Sequence, residues 1–516
     1  MLTTFTCIHK ETKEKIKYDE YKKLSEKEQE QYNVFPRMQV FRVFNVAQTN
    51  LRETRPELWE KLEQEVARPK IEDGEHLSFA PVDTMIRDNL WICPIRPKHQ
   101  DSAYYSISKN EIVVPEKEQF KSGEAFYALS ESANRLTRKW LHNLAGWQKP
   151  DGVIYAPVPS SNWDKELPGQ VMASLGYYGL WNYYWYTGDK ETLAEVYPAV
   201  QRYIALWKKG PKGTVLLRDG GWNWGDWGDN IDILPLQNAW YYLMIKGMRN
   251  AAEVLGHAAD ARSYTEEMAA LKQAFNSHFW NGKEYRDPEY KKATDDRVHA
   301  LAVVSGLADP DKYPAILNVF RSQENASPYM EKYVFEALMQ MGNGDEGFAR
   351  HNRRFSNMVR NDYFTTLFEG WGIGSEGFGG GSVNHAWSGG GLTVAYRYIC
   401  GIRPMDVAYN KVGVLPLPSG LSWAKASVVT PIGRVTSAFE SSPNVFVLDT
   451  EFPKEYEGVI GAPKQGVREV KINGTTVWKN GSPVRNKVAR FIKKQPSDLH
   501  LSFEVKGGAY KLIAVR

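Results

Sequence analysis

The sequence predicts a mainly α fold: an (α/α)6-type helical barrel, incomplete at its N-terminal side, preceded by a small α/β segment and followed by an antiparallel β-sandwich. Three observations predict it. From about Ala125 to Gly401, amphipathic stretches of helical period succeed one another between turn signals. After Pro404 the period changes to alternation between Gly, Pro and Asn turns. Fourteen of the 17 tryptophans lie between Trp140 and Trp423, with only Trp59 and Trp91 before them, so composition shifts near residue 130. The expected division is 1–123, 124–404 and 405–516.

Length and charge narrow the function classes. A chain of 516 residues exceeds one ordinary hydrophobic core, so two to four domains are expected. With 42% hydrophobic and 24% charged residues it reads as soluble and globular. Basic side chains number 65 and acidic ones 61, giving +4, which supplies no strong field for nucleic acid. Cys7, Cys93 and Cys400 form neither a disulfide framework nor a metal knuckle, and no metal or cofactor is expected. The start, "MLTTFTCIHKETKEK", lacks the apolar centre of a signal peptide, and no apolar run is long enough to span a bilayer. The expectation is a cytoplasmic chain with no membrane partner.

The elements follow in order. The first segment reads as a mixed-charge helix "YDEYKKLSEKEQEQY", a strand "MQVFRVFNVAQTN", a helix "RPELWEKLEQEVA" and a strand hairpin "SAYYSISKNEIVVP". Helical text then runs through "FYALSESANRLTRKWLHNLAGWQ", "PGQVMASLGYYGLWNYYWY", "KETLAEVYPAVQRYIALWKKG", "LQNAWYYLMIKGMRNAAEVLG" and "DARSYTEEMAALKQAFNSHFW". Shorter helices are expected at 298–305, 311–320, 328–341, 345–359 and 386–400. Ten helices with alternating short and long links make hairpins whose long loops gather at one rim. Six hairpins would need twelve, so about two are missing on the N-terminal side. The text "NVFVLDTEF", "GVREVKINGTTVWKNG" and "LHLSFEVKGGAYKLIAV" gives the strands of the last domain.

The long loops carry the chemistry. "TTLFEGWGIGSEGFGGGSVNHAWSGG", residues 365–390, sets Glu369 and Glu376 among Trp371, His385, Trp387 and nine glycines. A sugar cleft needs aromatic faces for pyranose rings, a carboxylate and close backbone approach. "GWNWGDWGDN" offers Trp222, Trp224 and Trp227 for stacking, with Asp226 and Asp229 for hydroxyls. Asp295, Asp296 and Arg297 in "ATDDRVHA" read equally as a helix cap or as substrate contacts, Asp296 and Arg297 being the candidates for contact. Glu331 in "SPYMEKYV" is similarly ambiguous. The expected partner is a carbohydrate.

From Glu124 to the C-terminus, "LTRKWLHNLAGWQKPDGVI", "GYYGLWNYYWYTGD", "GWNWGDWGDN", "ASPYMEKYVFEALMQMG", "TTLFEGWG" and "SVNHAWSGG" resemble the α-L-rhamnosidase-like six-hairpin glycosidases of glycoside hydrolase family 78. That resemblance implies an inverting glycosidase acting on α-L-rhamnosides, with Glu369 as general base and with His385 and Trp387 in the substrate loop. The family's "DCPxRxER" stretch, which carries the general acid, has no counterpart here, since "WICPIRPKHQ" shares only Cys-Pro and an arginine. Asp226 and Asp229 are the remaining candidates for the acid, and a catalytically inactive carbohydrate binder is the alternative.

Residues 1–128 are similar instead to the zincin-like domain of ArdC-type antirestriction proteins, through "YNVFPRMQVFRVFNVAQTNL" and "DSAYYSISKNEIVVPEKEQFKSGEAFYA". The HExxH helix that would follow "EAFY" is absent, because the text reads "ALSESANRLTRKW". An antirestriction module associated with nucleic acid is the third reading.

Overall fold

A computed structural model describes residues 4–9, 15–17, 23–29, 31–37, 131–155, 166–360, 366–372 and 385–516. Residues 1–97 and 98–516 form two units. In the first, strands β1 (Thr4–His9), β2 (Lys15–Lys17) and β3 (Tyr32–Arg37) make an antiparallel sheet in the order β2-β1-β3. Of the helix expected over 18–32, the described residues show Glu26–Gln29. Ser25 starts it, with its backbone N–H and its hydroxyl both donating to the Glu28 carboxylate. From Tyr32 the chain turns extended to pair with β1, so a strand begins six residues before the expected one. The strand, helix and hairpin expected between 38 and 115 lie outside the described residues, as does the expected shortage of helices before residue 131.

The second unit opens with the helices, ten of them among the described residues when α2 and α3 are counted as one. They are α1 (Glu131–Gly146), α2 (Pro168–Leu175), α3 (Asn182–Thr187), α4 (Lys190–Ile204), α5 (Ile233–Leu255), α6 (Ala258–Phe279), α7 (Asp296–Ser305), α8 (Tyr313–Ser322), α9 (Pro328–Gln340), α10 (Gly344–Val359) and α11 (Gly390–Val394). A single π turn, Tyr177–Trp181, joins α2 to α3, and another, Ala395–Ile399, extends α11. The stops are those legible in the text. Gly188, Gly256 and Gly306 sit in the left-handed region after α3, α5 and α7, where an L side chain would be strained.

Short turns pair α3 with α4, α5 with α6, α7 with α8 and α9 with α10. Inner helices then pack side by side in the order α2, α5, α7, α9, α11. At the first of these contacts the backbones nearly touch. A Cβ on Gly176 would lie 2.8 Å from Met244 Cα, and one on Gly247 would lie 2.7 Å from Tyr177 N. Glycine at both positions is what allows α2 and α5 to approach. One apolar core runs from Leu141 on α1 through the helices into the sheet domain.

After Ile399 the chain becomes β. Strands β4 (Ile402–Pro404), β5 (Lys411–Val414), β6 (Trp423–Thr430), β7 (Gly433–Ser441), β8 (Val445–Pro463), β9 (Glu469–Ile472), β10 (Thr475–Lys479), β11 (Ser482–Pro483), β12 (Arg490–Phe491) and β13 (His500–Val515) share one hydrogen-bonded network. Two long strands hold it together. Phe446–Glu451 of β8 pairs with β7, whereas Glu457–Ile460 pairs with β5, and β13 follows β8 along both halves with a bulge at Lys506/Gly508. Where a purely antiparallel sandwich was expected, the β5–β8 pair is parallel. The chain returns to β5 from helix-side strand β4 before the meander begins, which sets that direction.

Candidate active site

The loops that precede the inner helices converge. Residues 366–372 are fastened to the start of the last inner segment: the His385 amide donates to Leu367 O at 2.8 Å and Ser388 Oγ to Phe368 O at 2.6 Å. Between these ties stands Glu369. Its Oε1 accepts from the Trp227 indole N–H at 3.2 Å, and its Oε2 lies 3.6 Å from His385 Nδ1. The Glu369 side chain is 17% exposed, so it is screened yet open to a ligand. Burial lowers the His385 pKa, with Glu369 pulling the other way, so a neutral imidazole is favoured beside the carboxylate.

Three aromatic rings, two from loops and one from the first turn of α9, stack beside this pair. Trp387 lies between Trp224 (5.9 Å, 12°) and Tyr329 (5.1 Å, 22°), and the His385 ring is 4.3 Å from Trp387. Trp227 meets Trp224 and Trp222 edge-on at 5.7 and 5.8 Å. Trp222 is exposed, and Trp227, Trp387 and Tyr329 are half-buried. Trp224, at 7% exposure, is corrected from a sugar-stacking face to the backing of the stack, because its neighbours already cover it.

Behind the cleft runs a layer of buried charge. Arg297, fully buried, pairs with Asp295 at 2.6 Å and with Asp226 at 3.3 Å. Its guanidinium also donates to the carbonyls of Trp227, Asp229 and Asn230, so one side chain clamps the whole "WGDN" turn. That turn needs the clamp, since Gly228 and Asn230 both adopt positive φ. Asp226 Oδ2 also accepts from the Ser327 amide at the start of α9. A second arginine, Arg350, joins Asp296 (2.6 Å) to Glu331 (2.7 Å), and Arg354 adds a further bond to Glu331 at 2.6 Å.

Several expectations change accordingly. Asp296 and Arg297 are fully buried in ion pairs and hold loops instead of touching substrate. Asp295 is the helix cap, accepting from the Arg297 amide. Asp226 is 2% exposed and locked in the wall, which removes it as a proton donor to a sugar in the cleft. Burial raises its pKa while Arg297 opposes the rise. Asp229 remains exposed, with its backbone carbonyl held by Arg297. Trp371 packs edge-on against Phe355 at 5.0 Å, lies under the Arg354 guanidinium at 4.1 Å and donates to Ala326 O at 2.9 Å, so it anchors the Glu369 loop. Glu376 lies outside the described residues.

The sequence reading missed two contributors. Tyr329, inside the quoted "SPYMEKYV", completes the ring stack. Buried Glu166 accepts from Tyr203 Oη (2.5 Å) and Arg218 Nε (2.6 Å), while its carbonyl accepts from the Trp222 amide, fixing the far end of the tryptophan loop. Proline at 168 was the only nearby signal.

Residues 119–399, more than half of the chain, match the bacterial alpha-L-rhamnosidase 6 hairpin glycosidase domain. The chain belongs to that family. Residues 401–476 match the bacterial alpha-L-rhamnosidase C-terminal domain. An alpha-L-rhamnosidase of Formosa agariphila is 24% identical over 383 residues, covering 67% of this chain and 40% of that protein. One from Streptomyces avermitilis is 24% identical over 64% of this chain and 33% of its own length. This member of the family thus spans well under half of these relatives. Among solved structures, the alpha-L-rhamnosidase from Dictyoglomus thermophilum superposes with TM-score 0.61 at 23% identity, covering 76% of this chain and 46% of that one. The Streptomyces avermitilis enzyme, solved with L-rhamnose, gives 0.60 at 19%, covering 80% and 38%. These likenesses establish the six-hairpin fold. The antirestriction resemblance of residues 1–128 finds no support in these matches. Among the described residues, no helix is long and apolar enough to cross a membrane.

Proposed function

We propose that the chain is a glycoside hydrolase acting on α-L-rhamnosides by inversion, with Glu369 as general base. The observation that carries this reading is a screened, partly exposed carboxylate held by an indole N–H on one oxygen and faced by an imidazole on the other, beside a three-ring stack. Inversion needs two carboxyl groups about 6.5–9.5 Å apart. Glu369 takes a proton from a water molecule while the water oxygen bonds to the anomeric carbon. The glycosidic C–O bond breaks on the opposite face, and the second carboxyl protonates the departing oxygen. With Asp226 in the wall, exposed Asp229 is the candidate for that acid. His385, Trp222, Trp227 and Trp387 bind the sugar, and residues 124–404 form the catalytic domain.

The burial of Asp226 also favours a second reading, a rhamnose binder without turnover. Release of the aryl group from an aryl α-L-rhamnoside separates the two. Turnover that falls about 10³-fold in Glu369→Gln, within the range expected for lost general catalysis, supports the hydrolase. A further fall of about 10²-fold in Asp229→Asn assigns the acid. Rhamnose binding by calorimetry without turnover in any form supports the binder, and full activity in Glu369→Gln refutes the assignment.

A further inference from the structure

A second cleft lies toward the other ends of the inner helices. It holds about 350 Å³, and Trp181, Asn182, Trp185, Tyr186, Arg397 and Arg403 are among the residues that line it. Asn250 on α5 also lines it, 17 residues on from Ile233. At 1.5 Å per residue this places the cleft about 25 Å from the rim that carries the tryptophan loop. It is separate from the glycosidase cleft.

Its wall holds more positive charge than the described residues neutralise. Arg403 Nε and Nη2 and Arg397 Nε are buried and have no hydrogen-bond partner among the described residues. Among the described residues, the carboxylate that pairs with Arg397 is Glu336, already engaged by Lys332 Nζ at 2.9 Å and by the hydroxyls of Tyr178 and Tyr398 at 3.1 and 3.0 Å. Arg397 reaches it only at 3.7 Å. Lys246 adds another cation near Arg397, with its ammonium spent on Ser305 O and the Tyr177 ring. Burial, with the Arg397 charge adding to it, brings Arg403 down to about 10. Among the described residues, no carboxylate lines the cleft. A buried, unpaired cation is costly, and an oxyanion is the group whose geometry matches a guanidinium edge. In the same lining, Trp181 and Trp185 stack at 5.7 Å and 28°, forming a flat apolar surface with an amide at Asn182.

We propose that this cleft binds an oxyanion (carboxylate, phosphate or sulfate) carried on a ring, with Arg397 and Arg403 holding the charge and the tryptophan wall holding the ring. The test is calorimetric titration of the full chain with sodium benzoate, acetate, phosphate and sulfate against chloride at equal ionic strength. Saturable binding is expected, with benzoate at least ten-fold tighter than acetate. Binding should weaken at least ten-fold in Arg403→Gln, with aryl rhamnoside turnover or rhamnose binding unchanged. Arg403→Lys serves where the glutamine variant does not fold, since it keeps the charge and loses the forked edge. Benzoate as the tightest ligand identifies a ring carboxylate. Phosphate or sulfate as the tightest, again lost with Arg403, identifies an ester of those acids. Heats no greater than chloride gives, or equal affinity in the Arg403 variants, overturn the site.

Discussion

The aromatic rim and the ionic layer behind it come from the same few loops, yet they obey opposite rules. Trp222, Trp227, His385 and Glu369 keep one face toward solvent, while Asp226, Asp295, Asp296, Arg297, Glu331 and Arg350 are sealed in ion pairs. Within "GWNWGDWGDN" the division falls between two neighbours: Trp227 reaches the cleft carboxylate while Asp226 turns to the wall. The difference teaches that most of the charge near this site positions and little of it reacts. A buried ion pair gives little net stability over an apolar pair, but breaking one leaves an uncompensated charge.

The comparison can be broken most forcefully at Arg297. Arg297→Met strands Asp226 and Asp295, and a loss of about 3–5 kcal/mol in unfolding free energy is expected by denaturant titration. A loss below about 1 kcal/mol would place the layer among ordinary surface pairs.

Asp232 sharpens the same contrast through pH. It lies buried beside the layer, accepting from the Asp287 amide at 2.8 Å, and burial raises its pKa from 3.8 to about 7, with the Asp295 and Asp287 charges adding to the rise. The folded protein therefore keeps a proton that the unfolded chain releases between about pH 4 and 7. The contribution of Asp232 to stability declines as pH rises through that window and is flat above it. Asp232→Asn should flatten that decline and stabilise the protein at pH 8 by up to about 4 kcal/mol, at 1.36 kcal/mol per pH unit. Parallel melting curves at pH 5 and pH 8 measure the effect.

On the rim the signs reverse. Trp387→Ala is expected to raise KM or the rhamnose Kd about ten-fold by removing a ring from the stack, comparable to 1–2 kcal/mol of aromatic contact. Its Tm should fall by less than that of Arg297→Met. The smallest effect belongs to the exposed Arg353–Glu324 pair: Arg353→Ala should change stability by no more than about 0.5–1 kcal/mol, and a larger change would extend the ionic layer to the surface.

Much of the fold was legible because its punctuation is local. Gly188, Gly256, Asp295 and Ser327 announce helix ends within a few residues of themselves. Even so, α5 starts at Ile233, three residues before the apolar text suggested, because Pro235 is tolerated in a first turn. The carboxylate at 369 and the rings at 222, 227 and 387 stood out as unusual residues in glycine-rich loops. What stayed hidden was pairing at long range. Nothing in the text near Arg350 announces Asp296, 54 residues away, nor does Asp226 reveal Arg297 71 residues on. A carboxylate reads the same whether it faces a sugar or a guanidinium, and only the fold separates the two.

The stack of Trp224, Trp387 and Tyr329 draws its rings from two loops and from the first turn of α9, so Trp387, in the middle, cannot swing without leaving both partners. Such a cleft is ready before its ligand arrives. Its occupancy should therefore build in a single kinetic phase, at a rate rising linearly with sugar concentration, with no lag for a closing step.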